Sequence, residues 1–417
     1  MRGESTRRTS LLSQLWFQLV VAIIAGICAG LVLHARAAVL GELGAVVVRL
    51  LKALATPLVF FAIVDAVARA PLTGKMGARL LGICFVNTTV AALLSIGLGL
   101  VIVPGRRVDP SHLVTTSAAV VARPELTTRH ALEALVPDSL ARPFLENQVL
   151  AVVLLALAVG LALRKMLASE GGPGKQMAAL VAEALLLLQL VLAWVVRAVP
   201  VAIFGVVAGV IGSTGFGIFR ALFWLVATVA LGLTLHVAVY YSLLLRLAGK
   251  RPLAFWRASS APLLTALSTG SSLASLPVTL RTLDVMGIRP AASRLAACVG
   301  TNFNNDGIML YEVVAALFIA QLTGHALSGT ALVLLCATSA FAAAGIAGIP
   351  EAGLITLALV LEAAHLPTEL LPILLSVDWL LGRLRATTNV ASDLVVSTLL
   401  DAAESRSVDV DQLTSVS

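Results

Sequence analysis

Ser268-Thr-Gly-Ser-Ser-Leu-Ala-Ser-Leu-Pro277 interrupts an apolar stretch that runs from 252 to 287. Ala344-Gly-Ile-Ala-Gly-Ile-Pro350 interrupts a second, from 327 to 366. Both breaks have the same grammar: small, flexible residues, a proline, and then a fresh apolar run at Val278 or Leu354. Proline fits the first turn of a helix and ends whatever preceded it, so each is expected to open a new helix. Irregular backbone at membrane depth survives only where protein buries it or where it lines a wet cavity. Two such segments flanking a shared apolar span point to a ligand site built between inverted repeats. The plainer alternative is a pair of kinked helices.

The rest of the chain supplies the membrane. Of 417 residues, 59% are hydrophobic and only 12% charged, with mean hydropathy +1.00, too little polar surface for a water-soluble domain of this length. Full spans are expected at 11–33, 39–68, 78–103, 147–163, 177–211, 218–247, 292–321 and 369–400, each near the ~20 residues that cross a bilayer. The expected fold is an all-α polytopic membrane protein with eight transmembrane helices and two re-entrant helical hairpins. The first apolar stretch is too long for a signal-peptide core and reads as a retained helix. Past Leu400 the chain is polar and reads as a short frayed tail.

The net charge of +7 does not indicate nucleic acid, because of where the cations sit. Arg2, Arg7 and Arg8 precede the first span. Arg69, Lys75 and Arg79 follow the second, Arg164, Lys165 and Lys175 the fourth, and Arg246, Lys250, Arg251 and Arg257 the sixth. With alternating spans these fall on one side, the positive-inside pattern, which expects cytoplasmic termini in an inner membrane; Arg106 and Arg107 go against it. Cys28, Cys84, Cys298 and Cys336 are scattered through apolar segments, so neither a disulfide framework nor a transition-metal site is expected.

The strongest polar signal lies in the last span. Asp378, Gly382, Arg385, Asn389 and Asp393 recur at steps of three and four, one helical stripe about 22 Å long. Charges inside a membrane are costly unless paired, hydrated or in contact with a ligand, so the stripe implies a wet or ligand-lined interior. A structural salt-bridge network is the competing reading. Arg385 suits a carboxylate through its planar fork, Asn389 can donate and accept on the same face, and Asp393 suits a cation. A second cluster, Gly300-Thr-Asn-Phe-Asn-Asn-Asp-Gly307, crowds poor helix formers into an apolar span and is expected to unwind it. Its oxygen donors, with Asp306 as the carboxylate, suit a hard cation, and Thr88 and Thr89 can add hydroxyls. Glu312 can carry a proton, because desolvation disfavours its charged form. Glu351 fits a helix-capping role, and Ser271 and Ser272 can donate to an anion.

Four motifs in order resemble the dicarboxylate/amino acid:cation symporter family: Ser271-Ser-Leu-Ala-Ser-Leu-Pro-Val-Thr-Leu280, Asn304-Asn-Asp-Gly307 with Leu310-Tyr-Glu312, Gly348-Ile-Pro-Glu-Ala-Gly353, and Val377-Asp-Trp followed by Arg385, Asn389 and Asp393. The resemblance covers nearly the whole chain. It implies a homotrimer in membrane lipid, with a scaffold (1–77 and 105–215), an elevator-type transport domain (78–104 and 216–403) and a polar tail (404–417). It also implies uptake of a small anionic solute coupled to Na+ or H+, without a cofactor. By position, Arg385 would hold the solute's distal carboxylate, with Asn389, Ser272 and backbone at Ile349 and Gly353 completing the pocket. Asp393 with carbonyls at Gly300, Asn304 and Asn389 would form one cation site. Asp306, Asn304, Thr88 and Thr89 would form another, and Glu312 aligns with a proton-carrying glutamate.

Departures from the family pattern bear on the solute. Gly382 stands where amino acid carriers have an aspartate that grips the substrate ammonium. Ile308 replaces a hydroxyl, Ala386 a threonine, Phe85 a tyrosine and Asn305 a methionine. A C4-dicarboxylate is therefore slightly preferred over aspartate or glutamate. Two other classes are weighed against the symporter. One is an uncoupled anion channel or transport-inactive sensor of the same fold. The other is an intramembrane serine hydrolase using Ser271 or Ser272 with His236, His325 or His365, which no nucleophile motif supports.

Overall fold

The computed structural model describes residues 15–69, 74–107, 139–146, 148–168, 173–344, 352–368 and 370–415. Among these residues the chain is almost wholly helical, with no strand. Five helical stretches are long and apolar enough to cross a bilayer: Phe17–Arg69, Lys75–Arg107, Ala151–Ala168, Gly174–Ser213 and Phe219–Leu247. The first holds two of the expected spans, α1 (Leu15–Leu33) and α2 (Glu42–Arg69), joined by a 3-10 turn. Then come α3 (Gly74–Ile102), α4 (Val149–Ala168), α5 (Pro173–Thr214) and α6 (Gly217–Leu235). The sixth span continues past α6 through a π-helical turn, His236–Tyr241, into Ser242–Leu247.

Helices α1, α2, α4 and α5 pack on one another. The contact of α1 with α5 is backbone to backbone: a Cβ on Gly30 would lie 2.7 Å from the Ala208 carbonyl oxygen and 2.7 Å from Ile211 Cβ. Gly26, one turn earlier, meets Phe204 and Val207 as closely. This small-xxx-small spacing lets two helices approach where lipid offers no hydrophobic drive.

The first interrupted stretch forms a helical hairpin, α7 (Ser260–Thr269) packed against α8 (Ser272–Val285). Here the expected helix start is corrected. The chain turns at Gly270, in the left-handed region (φ 68°), and α8 begins at Ser272, so Pro277 lies inside the helix. The Ser271 side chain caps α8 by accepting from the Ala274 N–H, and a polar N-cap fixes the boundary more strongly than a proline five residues on. The second stretch gives α10 (Gly329–Ala344) and α11 (Ala352–Ala363), also packed together. Residues 345–351 between them, with Ile349, Pro350 and Glu351, lie outside the described residues.

Between the hairpins the seventh span is unwound as its composition predicts. A short helix at Pro290–Arg294 gives way to a π turn at Leu295–Val299 and a 3-10 turn at Gly300–Asn302, and regular helix resumes only at α9 (Asp306–Leu322). Every residue of α9 except Gln321 is buried, as its all-round apolar surface requires. Gln321 ties α9 to the end of α3, donating to the Gly99 carbonyl (2.8 Å) and accepting from the Gly105 N–H (3.0 Å). The final helix, α12, runs from Leu371 to Ser415, so the expected frayed tail is helical as far as Ser415. It passes through two apolar cores, one containing Leu381 and the other Leu394, and its polar stripe lies between them.

Replacing Gly30 by Leu should cost about 1–3 kcal/mol through overpacking against Ala208 and Ile211. A thermal-unfolding scan in detergent should show a lowered midpoint for G30L. Gly97→Ala, at a position with open space around it, should leave the midpoint unchanged or raise it.

Candidate functional site

Asp378 and Arg385 are two turns apart on α12, and both are buried, at 1% and 3% exposure. The guanidinium makes a two-pronged pair with the carboxylate, Nη1 to Oδ1 at 2.7 Å and Nη2 to Oδ2 at 3.1 Å. Its face lies 4.2 Å from the centre of the Tyr311 ring, a cation–π contact from α9. Two bare glycines border it. A Cβ on Gly353 of α11 would sit 2.7 Å from Cζ, and one on Gly382 would sit 3.3 Å from Nη2. The second hairpin thus lays its backbone directly on the arginine, which any larger side chain at Gly353 would prevent.

One turn further along α12, Asn389 fastens the unwound seventh span. Its Oδ1 accepts from the Gly307 N–H (2.9 Å) and its Nδ2 donates to Asn305 Oδ1 (3.0 Å). Asn305 Nδ2 then donates to the carbonyls of Thr301 (3.1 Å) and Ala343 (2.9 Å). Ala343 lies in the last turn of α10, so Asn305 also satisfies one of the carbonyls a helix end leaves open. Gly307 is needed for this approach: a Cβ there would be 2.6 Å from the Arg385 carbonyl oxygen. Asn305, in the sequence one of the crowded poor helix formers and a departure from the family pattern, thereby joins α9, α10 and α12.

Asp306 is fully buried and ringed by donors from three elements. Thr88 Oγ1 of α3 lies 3.3 Å from its Oδ1. On Oδ2 converge His236 Nε2 (3.2 Å), the Tyr241 hydroxyl (2.5 Å) and the Ser392 hydroxyl (3.3 Å). The π turn makes this possible, because a five-residue step puts His236 and Tyr241 on one face where an α-helix would separate them. Nearby, Asn304 Oδ1 accepts a long bond from Asn87 Nδ2 (3.5 Å), and Tyr240 donates to Asn87 Oδ1 (2.8 Å).

Other buried groups have no such ring. Asp393 is 3% exposed; the side chains of Thr301 and Asn304 are its polar neighbours, yet its Oδ1 and Asn304 Nδ2 find no hydrogen-bond partner among the described residues. Glu312 is completely buried, with the side chains of Ser339 and Thr356 among its polar neighbours, and among the described residues neither of its oxygens meets a hydrogen-bond partner of good geometry. Among the described residues, the buried acids and bases are Asp306, Glu312, Asp378 and Asp393 against Arg385 and His236.

The remaining candidates divide. Ile308 is buried just past Gly307 and Gly300 sits in the 3-10 turn against Leu80. Ser271 and Ser272 are each 8% exposed, with Ser271 engaged in capping α8. Their hairpin turn reaches α12 at Arg383, whose Cγ would lie 3.7 Å from a Cβ on Gly270. Thr89 is not among the groups around Asp306: it is exposed, and its hydroxyl donates back to the Phe85 carbonyl (2.8 Å). His236, Tyr241, Tyr311 and Ser392 belong to the cluster although the sequence did not single them out for it. The spacing of Ser392, seven residues past Arg385, was the one legible hint.

Residues 15–403 match the sodium:dicarboxylate symporter family. The chain is 30% identical over 409 residues to a C4-dicarboxylate transport protein of Deinococcus radiodurans, covering 96% of this chain and 91% of that one. It is 31% identical over 416 residues to a C4-dicarboxylate transport protein of Janthinobacterium, covering 98% and 93%. To excitatory amino acid transporter 2 of Rattus norvegicus it is 30% identical over 411 residues, covering 84% and 70%. With its apolar helices, its unwound seventh span and an arginine buried among carboxyl groups, this multi-pass membrane protein belongs to the sodium:dicarboxylate symporter family.

Proposed function

We propose that this chain is a secondary-active symporter that takes up a small dianion, a C4-dicarboxylate before an acidic amino acid, with Na+ or H+ entering alongside. The observation that carries the reading is the buried imbalance of charge. Among the described residues Arg385 pairs with Asp378, which leaves the buried carboxyl groups of Asp306, Glu312 and Asp393 with no lysine or arginine of their own. Carboxyl groups out of water need a cation or a proton, and a dianion needs the same company to cross. Each charge moved through the membrane potential is worth about 2.3 kcal/mol per 100 mV, so an excess of co-moving cations drives the anion uphill.

In this reading the solute's carboxylate takes the Arg385 fork in exchange for Asp378, and Asn389, Ser271, Ser272 and the backbone at Ile349 and Gly353 close around it. Gly382 and Ile308 leave no group for a substrate ammonium, which supports the dicarboxylate, as do the relatives named for C4-dicarboxylate transport. The relative named as an excitatory amino acid transporter supports aspartate or glutamate as the second choice. Asp393 with Asn304, Asn389 and Gly300, and Asp306 with Thr88, are the proposed cation sites. Thr89 belongs to the second of them only if its hydroxyl leaves Phe85. Glu312 is the proposed proton carrier. We also propose the scaffold (1–77, 105–215) and transport-domain (78–104, 216–403) division, an elevator motion, a homotrimer, and an inner-membrane location with cytoplasmic termini. The hydrolase reading draws no support from the comparisons, which match a transporter family.

In proteoliposomes, an inward sodium gradient should accumulate radiolabelled succinate above its equilibrium level. An uncoupled channel or inactive sensor would give no such accumulation. Arg385→Lys should lower kcat/KM at least about tenfold, because an ammonium replaces a two-pronged fork by a point charge. Gly382→Asp should raise aspartate uptake relative to succinate.

The cation assignments separate by ion. Asp393→Asn should raise the sodium concentration for half-maximal uptake about tenfold or more, the equivalent of roughly 1.4 kcal/mol. Glu312→Gln should abolish only the part of uptake that a proton gradient stimulates.

Lys52 of α2 reaches across to the second hairpin, bonding Glu362 (2.7 Å) and Thr368 (2.8 Å). An elevator would have to break this pair in each cycle. Lys52→Glu should change the rate of uptake several-fold with little effect on KM, and the swap K52E/E362K should restore it. A rate unchanged by either substitution would count against motion across that boundary.

A further inference from the structure

The end of the sixth span builds a hollow that the transport reading leaves unused. Ser242–Leu247, a turn through Gly249 (φ 76°) and the helix Pro252–Ala258 border an open surface hollow of about 570 Å3. Arg246, Lys250 and Arg251 line it. All three are exposed, and none has an ion pair or side-chain hydrogen bond among the described residues. Trp256 also lines it; its indole N–H donates to the Ser242 hydroxyl (2.9 Å), and its ring packs edge-on against buried Phe255. The indole is thus held in one orientation beside three cations.

A second surface meets this hollow. Val239, Leu243 and Leu247 step by four residues along the same span and are 60%, 52% and 67% exposed. They lie one position round the helix from Ala238, Ser242 and Arg246, which face the hollow. An apolar strip therefore runs along the bilayer-facing side and ends beside the cations. A soluble anion would use the cations and ignore the strip. A phospholipid uses both, and a fixed tryptophan between them is the arrangement found where headgroups meet acyl chains.

We propose that this hollow is a binding site for one anionic phospholipid, its phosphate held by Arg246, Lys250 and Arg251 beside Trp256 and an acyl chain lying along Val239, Leu243 and Leu247. The site adjoins the first hairpin, whose helix α7 follows Pro252–Ala258 directly, so a bound lipid steadies the base of that hairpin. The inference requires only that the chain sits in a membrane; it does not depend on the solute or the coupling ion.

The test is native mass spectrometry of the full-length protein, stripped of lipid in detergent and titrated with phosphatidylglycerol or phosphatidylcholine. The expected result is saturable binding of one phosphatidylglycerol per chain with little retention of phosphatidylcholine. R246Q/K250Q/R251Q should weaken it about tenfold or more. R164Q/K165Q/K175Q, which removes the same charge elsewhere, should leave it intact. Leu243→Gln with Leu247→Gln keeps every cation and should also weaken lipid binding, which keeps the test decisive if the triple variant loses its fold. Equal losses in the two triple variants, equal binding of both lipids, or full binding in the double-glutamine variant would overturn the proposal. So would displacement of the lipid by inorganic phosphate alone, which would mark a site for a soluble anion.

Discussion

Every backbone polar group inside an apolar bundle must find its partner within the protein, and the architecture follows from how this chain meets that demand. Among the described residues, breaks in regular helix lie in or beside the site at Gly270 and at 303–305. Side chains repair both. Ser271 and Ser275 bond backbone at the first, and Asn305 with Asn389 ties together Thr301, Gly307 and Ala343 at the second. Without those amides, the unwound span would leave buried donors and acceptors open, each costing about 1–3 kcal/mol. The polar residues at the breaks are therefore structural before they are functional, and the two roles share the same atoms.

The same low-polarity setting makes the charges informative. A buried arginine with one partner is a stable arrangement, and Asp378 provides it with good geometry at both nitrogens. Asp306 is treated differently, with hydroxyls and an imidazole gathered from α3, the π turn and α12. Among the described residues, Asp393 and Glu312 keep oxygens without a hydrogen-bond partner. That gradation, from paired to solvated by protein to bare, is the pattern a site must have if something else is to arrive with charge. A purely structural network would have closed those last oxygens with donors of its own.

Much of this was legible in the sequence because it rests on short-range rules. The apolar spans follow from length and hydropathy, the α12 stripe from a step of three or four, and the unwinding at 300–305 from crowded poor helix formers. What escaped has a common cause. His236 and Tyr241 are five residues apart, a spacing that fits neither helix nor strand, and they meet only because the backbone takes a π turn there. Thr89 looked equivalent to Thr88, but adjacent residues on a helix face about 100° apart, and only Thr88 faces Asp306. Helix α8 starts at its serine cap and not at the proline, because capping acts through a hydrogen bond that composition does not display.

The glycines beside Arg385 join the fold to the motion asked of it. At Gly353 and Gly382 the guanidinium is bordered by backbone or open space instead of side chains, so no packed side chain blocks its edges. A ligand's carboxylate could replace Asp378 without first displacing a core residue, whereas repacking a dense interior would cost kilocalories per step. On the far side of the hairpin, α11 packs on α2, and the Lys52–Glu362 pair between them is partly exposed and therefore weak enough to break. An amide hydrogen bond joins the second hairpin to the site at Ala343, and the buried side chains of α11 pack it into the core, while the Lys52–Glu362 pair at its edge is screened by solvent. In the proposed transport cycle that partly exposed pair is the contact that breaks most cheaply, ahead of the buried amides that keep the polar core assembled.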